Sequence, residues 1–138
     1  MRILGIDFGE KRIGLAISDP LGITAQPLAV VAKSADFAAD IKAILTLTER
    51  FEKLDEIIVG LPRTMKGEIG QQARKVMEFV EALKRSQPAP VRTWDERLTT
   101  VEAERTLIFA GLSRQKRKQV IDRSAASYIL QSYLDSRK

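Results

Sequence analysis

The stretch Arg2-Ile3-Leu4-Gly5-Ile6-Asp7-Phe8-Gly9-Glu10-Lys11-Arg12-Ile13-Gly14-Leu15-Ala16-Ile17-Ser18 decides the fold. Arg2 to Phe8 reads as a buried strand, Gly9 to Arg12 as a turn, and Ile13 to Ser18 as a second strand paired with the first in a hairpin. Gly22 to Lys33 reads as a third strand. Pro27 requires an edge position or a bulge there, because proline has no N–H for a ladder. Ser34 is expected to cap a helix running to about Lys53, with Phe37, Ile41, Ile44, Leu45 and Leu47 mainly at helical spacing. Asp55 to Gly60 is a short strand of the kind buried on both faces. Leu61 to Gly70 is a loop, and Gln71 to Arg85 a helix with Val76, Phe79, Val80 and Leu83 inward. Val91 to Trp94 is a further strand. Thr99 and Glu102 form a capping box that opens a helix ending near Gly111. The basic stretch Arg114 to Lys118 leads into a last helix through about Leu134. This order predicts an α/β fold: a mixed sheet, antiparallel over its first three strands, with right-handed crossovers afterwards and helices on its faces. No repeat or linker interrupts it, and 138 residues suit a single domain spanning residues 1–138.

Composition narrows the chemistry. A hydrophobic fraction of 44% and a charged fraction of 30% describe an ordinary globular chain. No apolar run approaches the roughly 20 residues of a membrane span, and the opening apolar run is too short for a signal peptide. With no cysteine and no histidine, serine–histidine and cysteine–histidine mechanisms are excluded, as are thiolate and imidazole metal sites. The cysteine-free chain agrees with a reducing cytosol, so a cytoplasmic location is expected. A net charge of +5 and a pI of about 9.7 favour a polyanionic partner, for which the phosphate backbone is the natural candidate.

Three carboxylates stand out. Asp7 ends an apolar strand, flanked by Gly5 and Gly9, and open α/β sheets carry their chemistry beyond the carboxyl ends of strands; an aspartate before glycine is equally a common turn residue. Glu96 follows the strand Val91 to Trp94 and precedes a capped helix whose N-terminus favours negative charge, although an ion pair with Arg97 would also account for it. Asp122 shares a helix face with Ala125, Ala126 and Ile129, continued by Tyr133. A carboxylate on a stripe that packs on a sheet needs a cation or hydrogen bonds; the helix dipole alone is the other explanation. If the three converge, their mutual repulsion calls for a divalent cation. All-oxygen ligation selects Mg2+ or Mn2+ over zinc, and a pair of such ions suits phosphodiester cleavage.

The blocks that carry these acids resemble the YqgF family, also called RuvX. They are Gly5-Ile6-Asp7-Phe8-Gly9-Glu10-Lys11-Arg12-Ile13-Gly14-Leu15-Ala16, Val59-Gly60-Leu61-Pro62, Asp95-Glu96-Arg97-Leu98-Thr99-Thr100 with Val101-Glu102-Ala103-Glu104, and Asp122 ahead of Ala125-Ala126. The resemblance spans the chain, with the blocks in the family's order. It implies a ribonuclease H-like fold, metal binding and catalysis at Asp7, Glu96 and Asp122, and action on structured nucleic acid. The family is linked to maturation of the 5′ end of precursor 16S ribosomal RNA and, for some members, to four-way DNA junctions. Lys66 departs from the aspartate or asparagine expected before Gly67, and Arg123 from a small or apolar residue.

Several cations complete the expectation of a nucleic-acid-binding surface. Lys11 and Arg12 occupy the turn beside Asp7. Arg63 and Lys66 lie in a glycine-containing loop able to close over substrate, where ordinary surface charge explains them equally well. Arg114, Lys116, Arg117 and Lys118 precede Asp122 by one to two turns and suit backbone contact. Trp94 and Phe109 are expected in the core. The expected partner is structured RNA, with branched DNA as the alternative; a junction-resolving enzyme would be a homodimer matched to a two-fold substrate. Two non-nucleolytic alternatives stand beside these, a nucleotide-binding protein of actin-like topology and an RNA-binding assembly factor.

Overall fold

The computed structural model describes residues 2–62, 70–96 and 114–137, with side chains in the last helix described from residue 125 onward. Strands β1 (Ile3–Phe8), β2 (Arg12–Ser18) and β3 (Ala25–Ala32) form an antiparallel meander. Helix α1 (Phe37–Thr48) and a 3-10 turn (Glu49–Phe51) lead to β4 (Glu56–Leu61), which pairs parallel with β1. Helix α2 (Gln71–Ser86) returns the chain to β5 (Val91–Asp95), parallel with β4. The sheet order is β3-β2-β1-β4-β5, and helix α3 (Arg114–Ser136) crosses it. The capping box at Thr99 and Glu102, and Phe109, fall outside the described residues.

The hairpin closes as its sequence requires: the Gly9 N–H donates to the Arg12 carbonyl at 2.9 Å, and a side chain at Gly9 would meet that oxygen at 2.7 Å. Pro27 sits on the edge strand, where its missing N–H costs no ladder bond, and beside a bulge. Register passes from Leu15–Ala29 to Ala16–Pro27, leaving Leu28 as the extra residue. The α1 cap is Asp36, whose carboxylate accepts from Ala38 N at 3.0 Å; Ser34, expected in that role, instead exchanges hydrogen bonds with the Asp36 backbone. Helix α1 stops at Thr48, five residues short of the expected end. Its buried stripe runs Ile41, Ile44, Thr48, which leaves Leu47 40% exposed.

Alternation along the central strands builds two cores. Leu4, Ile6 and Phe8 of β1, with Ile13, Leu15 and Ile17 of β2, face α1 and α2. There Phe8 stacks on Phe79 with ring centroids 4.3 Å apart, and Phe37 meets both rings edge-on. On the opposite face Ile3, Ala16 and Ile58 pack against Ala125, Ala126, Ile129, Leu130 and Leu134 of α3, with Trp94 and Tyr133 at the margin. This is the apolar stripe anticipated below Asp122, and Trp94, expected in the core, is partly buried against its edge.

Helix α3 approaches the sheet closely because two strand positions lack side chains. A Cβ on Gly5 would lie 2.7 Å from Leu130 Cβ and 3.2 Å from the Ala126 carbonyl oxygen; one on Gly60 would lie 2.6 Å from Ile129 Cδ1. Three consecutive residues, Gln131, Ser132 and Tyr133, tie the C-terminal part of the helix to the strands and the β2–β3 connection. Gln131 accepts from Ala25 N at 2.9 Å and donates to the Ile23 carbonyl at 3.0 Å. The Trp94 indole donates to Ser132 Oγ at 3.2 Å. The Tyr133 hydroxyl donates to Glu56 Oε1, which also takes Arg92 at 2.8 Å. Because Ile129 lies over Gly60 and Tyr133 reaches Glu56 at the start of β4, α3 runs antiparallel to β1 and β4.

Two predictions test this packing. Gly5→Ala is expected to lower stability by about 1–3 kcal/mol, because its Cβ meets a helix backbone oxygen and a Cβ atom that cannot rotate away; thermal unfolding measures it. Burial, and then the bond to Glu56, raise the Tyr133 hydroxyl pKa above its ordinary 10.0. A raised folded-state pKa gives stability that is fully present below pH 10 and lost as pH climbs through the folded value. Alkaline unfolding curves are therefore expected to flatten in Tyr133→Phe.

Candidate active site

The carboxyl ends of β1 and β4 and the terminus of β5 meet at one end of the sheet. Asp7 belongs to the α3 face of β1, in the Ile3, Gly5, Asp7 alternation. Its partner on β2 is Gly14. On β4 the registered pairs end at Ile6–Val59, so the next position beside Asp7 is Gly60. The aspartate thus stands in a trough with a glycine on either side. Neither neighbouring strand sends a side chain across it.

Glu96 enters this trough from β5. Trp94, paired with Gly60, lies on the α3 face, and Glu96 follows two residues later on the same side. Its carboxylate lies over Gly60: a Cβ there would be 2.9 Å from Glu96 Oε1 and 3.3 Å from Glu96 Cγ. Asp95, paired with Leu61, falls by alternation on the other face. Of the two adjacent acids it is therefore Glu96 that shares the face of Asp7, and both are half-buried.

The antiparallel course of α3 carries the backbone of Asp122 toward the same end of the sheet. It lies one turn before Ala126 and two turns before Leu130, the two residues that cover Gly5, or about 6 and 12 Å further along the helix toward the strand ends. Asp7 lies two residues, about 6.6 Å, beyond Gly5 in that direction. Arg114, Lys116, Arg117 and Lys118 occupy the first turns of the helix, further out than Asp122. Arg63 and Lys66 lie outside the described residues. Lys11 is exposed on the hairpin turn, and Arg12, half-buried, falls by alternation on the face of Asp7.

Two features of the site carried no recognisable signal in the sequence. One is the glycine trough: Gly60 stood in a motif, but its closeness to Asp7 and Glu96 arises from register across three strands. The other is Gln72, in the first turn of α2, which donates to the Phe8 carbonyl at 3.0 Å and anchors the strand end beside Asp7.

A family model described as "RuvX: Holliday junction resolvase" matches residues 1–136. The chain belongs to the RuvX family. It is 51% identical over 136 residues to a Clostridium acetobutylicum protein named "Putative pre-16S rRNA nuclease", covering 99% of both chains. A protein of the same name from Halothermothrix orenii is 51% identical over 135 residues, covering 98% of this chain and 95% of the relative. Among solved structures, Thermus thermophilus RuvC in complex with a Holliday junction substrate superposes with a TM-score of 0.67 at 16% identity, covering 99% of this chain and 95% of that one. The fowlpox virus Holliday junction resolvase gives 0.59 at 19% identity, covering 99% of both. These likenesses establish the fold as ribonuclease H-like.

The donor chemistry of the trough fits a hard divalent ion: two carboxylates on one face, beside two positions without side chains. Among the described residues no third ligating side chain joins them. Gly60→Ala tests this arrangement, because the new methyl would meet Glu96 Oε1 and the mobile end of Ile129 rather than backbone. A stability loss of about 1–2 kcal/mol is expected, with a loss of nuclease rate of about 10-fold or more from the displaced carboxylate. Unfolding and cleavage measured on the same preparation separate the two effects.

Proposed function

We propose that this protein is a divalent-metal-dependent endonuclease acting on structured nucleic acid, with the 5′ end of precursor 16S ribosomal RNA as its substrate. The observation that carries this reading is the placement of Asp7 and Glu96 together in a glycine-floored trough at the carboxyl end of the sheet. The choice of precursor ribosomal RNA follows the names of relatives that are half identical over nearly their whole length. A cytoplasmic, single-domain enzyme of residues 1–138 is the corresponding picture.

Asp7, Glu96 and Asp122 would hold Mg2+ or Mn2+, the ions that an all-oxygen donor set selects. When bound, such an ion neutralises phosphate charge and lowers the pKa of water enough to make a nucleophile. The chain's own contribution is positional. Strand β1 holds Asp7 rigidly, because Phe8 is stacked on Phe79 and its carbonyl is tied to Gln72. Gly14 and Gly60 keep the two neighbouring strands from placing a side chain beside Asp7. Lys11, Arg12, Arg63, Lys66 and the cluster Arg114, Lys116, Arg117 and Lys118 supply the positive field that draws the backbone in.

Resolution of four-way DNA junctions is the second reading, favoured by the family description and by the likeness to RuvC. It requires two coordinated cuts and hence a symmetric homodimer.

Cleavage of a labelled precursor-rRNA 5′ segment and of a four-way DNA junction, each with Mg2+, Mn2+ or EDTA, tests both readings. The RNA is expected to be cut with either ion and not with EDTA. Asp7→Asn is expected to lose more than about 100-fold in rate, since even groups that merely support a metal ligand are worth 10–100-fold. Cutting of the junction alone would move the assignment to the second reading. Tight binding without cleavage of either would identify an RNA-binding assembly factor.

A further inference from the structure

Lys33 lies just past the edge strand β3, yet its backbone N–H donates to the Lys11 carbonyl at 2.9 Å. A second lysine is thereby set against the turn that follows Asp7. Its ammonium lies 5.4 Å from the Phe8 ring centroid and donates to the Ser34 carbonyl at 3.4 Å. One weak acceptor leaves most of the donor capacity of an ammonium unused. Among the described residues, neither Lys33 nor Lys11 is joined to a carboxylate. Phe8 belongs to the α1–α2 core whereas Asp7 faces α3, so Lys33 stands on the opposite side of the sheet end from the trough.

We propose that Lys33 and Lys11 form a second phosphate-binding point, which grips the nucleic-acid backbone at a phosphate flanking the one that is cut. The proposal rests on the nucleic-acid reading above and extends it to the path of the substrate. A strand held at Lys33 and engaged at Asp7 passes over the β1–β2 turn from one face of the sheet to the other. Lys33 suits this role better than a freely exposed lysine, because its ammonium is already placed over the Phe8 ring beside the Ser34 carbonyl and loses less conformational freedom on binding.

The test measures affinity without cleavage. Wild type, Lys33→Gln, Lys33→Met and Lys33→Arg are titrated in EDTA against a labelled RNA hairpin bearing a single-stranded 5′ extension, over a range of KCl concentrations. Lys33→Gln and Lys33→Met are expected to bind severalfold more weakly, with the slope of log affinity against log salt reduced by about one. Lys33→Arg is expected to restore both. Lys33→Met keeps an unbranched side chain of similar length beside Phe8, so its behaviour separates lost charge from lost bulk. Unchanged affinity and slope in both neutral variants, with wild-type unfolding temperatures, would overturn the proposal. Because no cleavage is read, this outcome is distinct from failure of the nuclease reading, which shows as an uncut precursor segment with magnesium present.

Discussion

The closeness of α3 to the sheet is the constraint on which the rest depends. A helix crossing a sheet at ordinary separation keeps its side chains between the two backbones. Here Gly5 and Gly60 remove that layer at two points, so that the Ala126 carbonyl and the Ile129 side chain lie directly over the strands. Ala125 and Ala126 keep the facing surface of the helix equally thin. The closeness fixes the level of α3 against β1. The contacts of Gln131, Ser132 and Tyr133 further along fix the angle of the helix.

The same economy of side chains serves the chemistry. Carboxylates gathered at the end of an apolar sheet repel one another and lose solvation, so the arrangement is costly unless a cation completes it. The glycines at positions 14 and 60 keep the neighbouring strands from placing a side chain beside Asp7, and Gly60 lets the Glu96 carboxylate lie over β4. The strand beneath is clamped by the Phe8–Phe79 stack and by the Gln72 bond. The hairpin turn beside Asp7 carries Lys11 and Arg12, and the first turns of α3 carry the sequence Arg114 to Lys118.

Much of this was legible in the chain because it rests on local rules. The hairpin followed from a period-two pattern and a glycine turn. Pro27 announced an edge and a bulge, and both are present. The small stripe below Asp122 foretold a helix packed on the sheet. The misreadings were also local. Ser34 and Asp36 are both sound helix caps, and the choice fell to Asp36 because its carboxylate reaches Ala38 N while Ser34 is engaged with the Asp36 backbone. Leu47 matched the helical spacing only loosely, and the stripe continued through Thr48 instead. What no local rule could supply was proximity set by register. The glycines flanking Asp7 come from β2 and β4, and Gln72 reaches Phe8 across 64 residues of sequence. The candidate cations Arg63 and Lys66 remain readings of sequence alone.

The central claim is that Asp7, Glu96 and Asp122 jointly hold one divalent-metal site above the glycine trough. Anomalous diffraction from crystals grown with Mn2+ tests it most directly. The account predicts a manganese peak over the trough, with oxygens of all three carboxylates in its coordination shell. A peak elsewhere on the surface, or an ion held by Asp7 and Glu96 with Asp122 turned away from it, would contradict it.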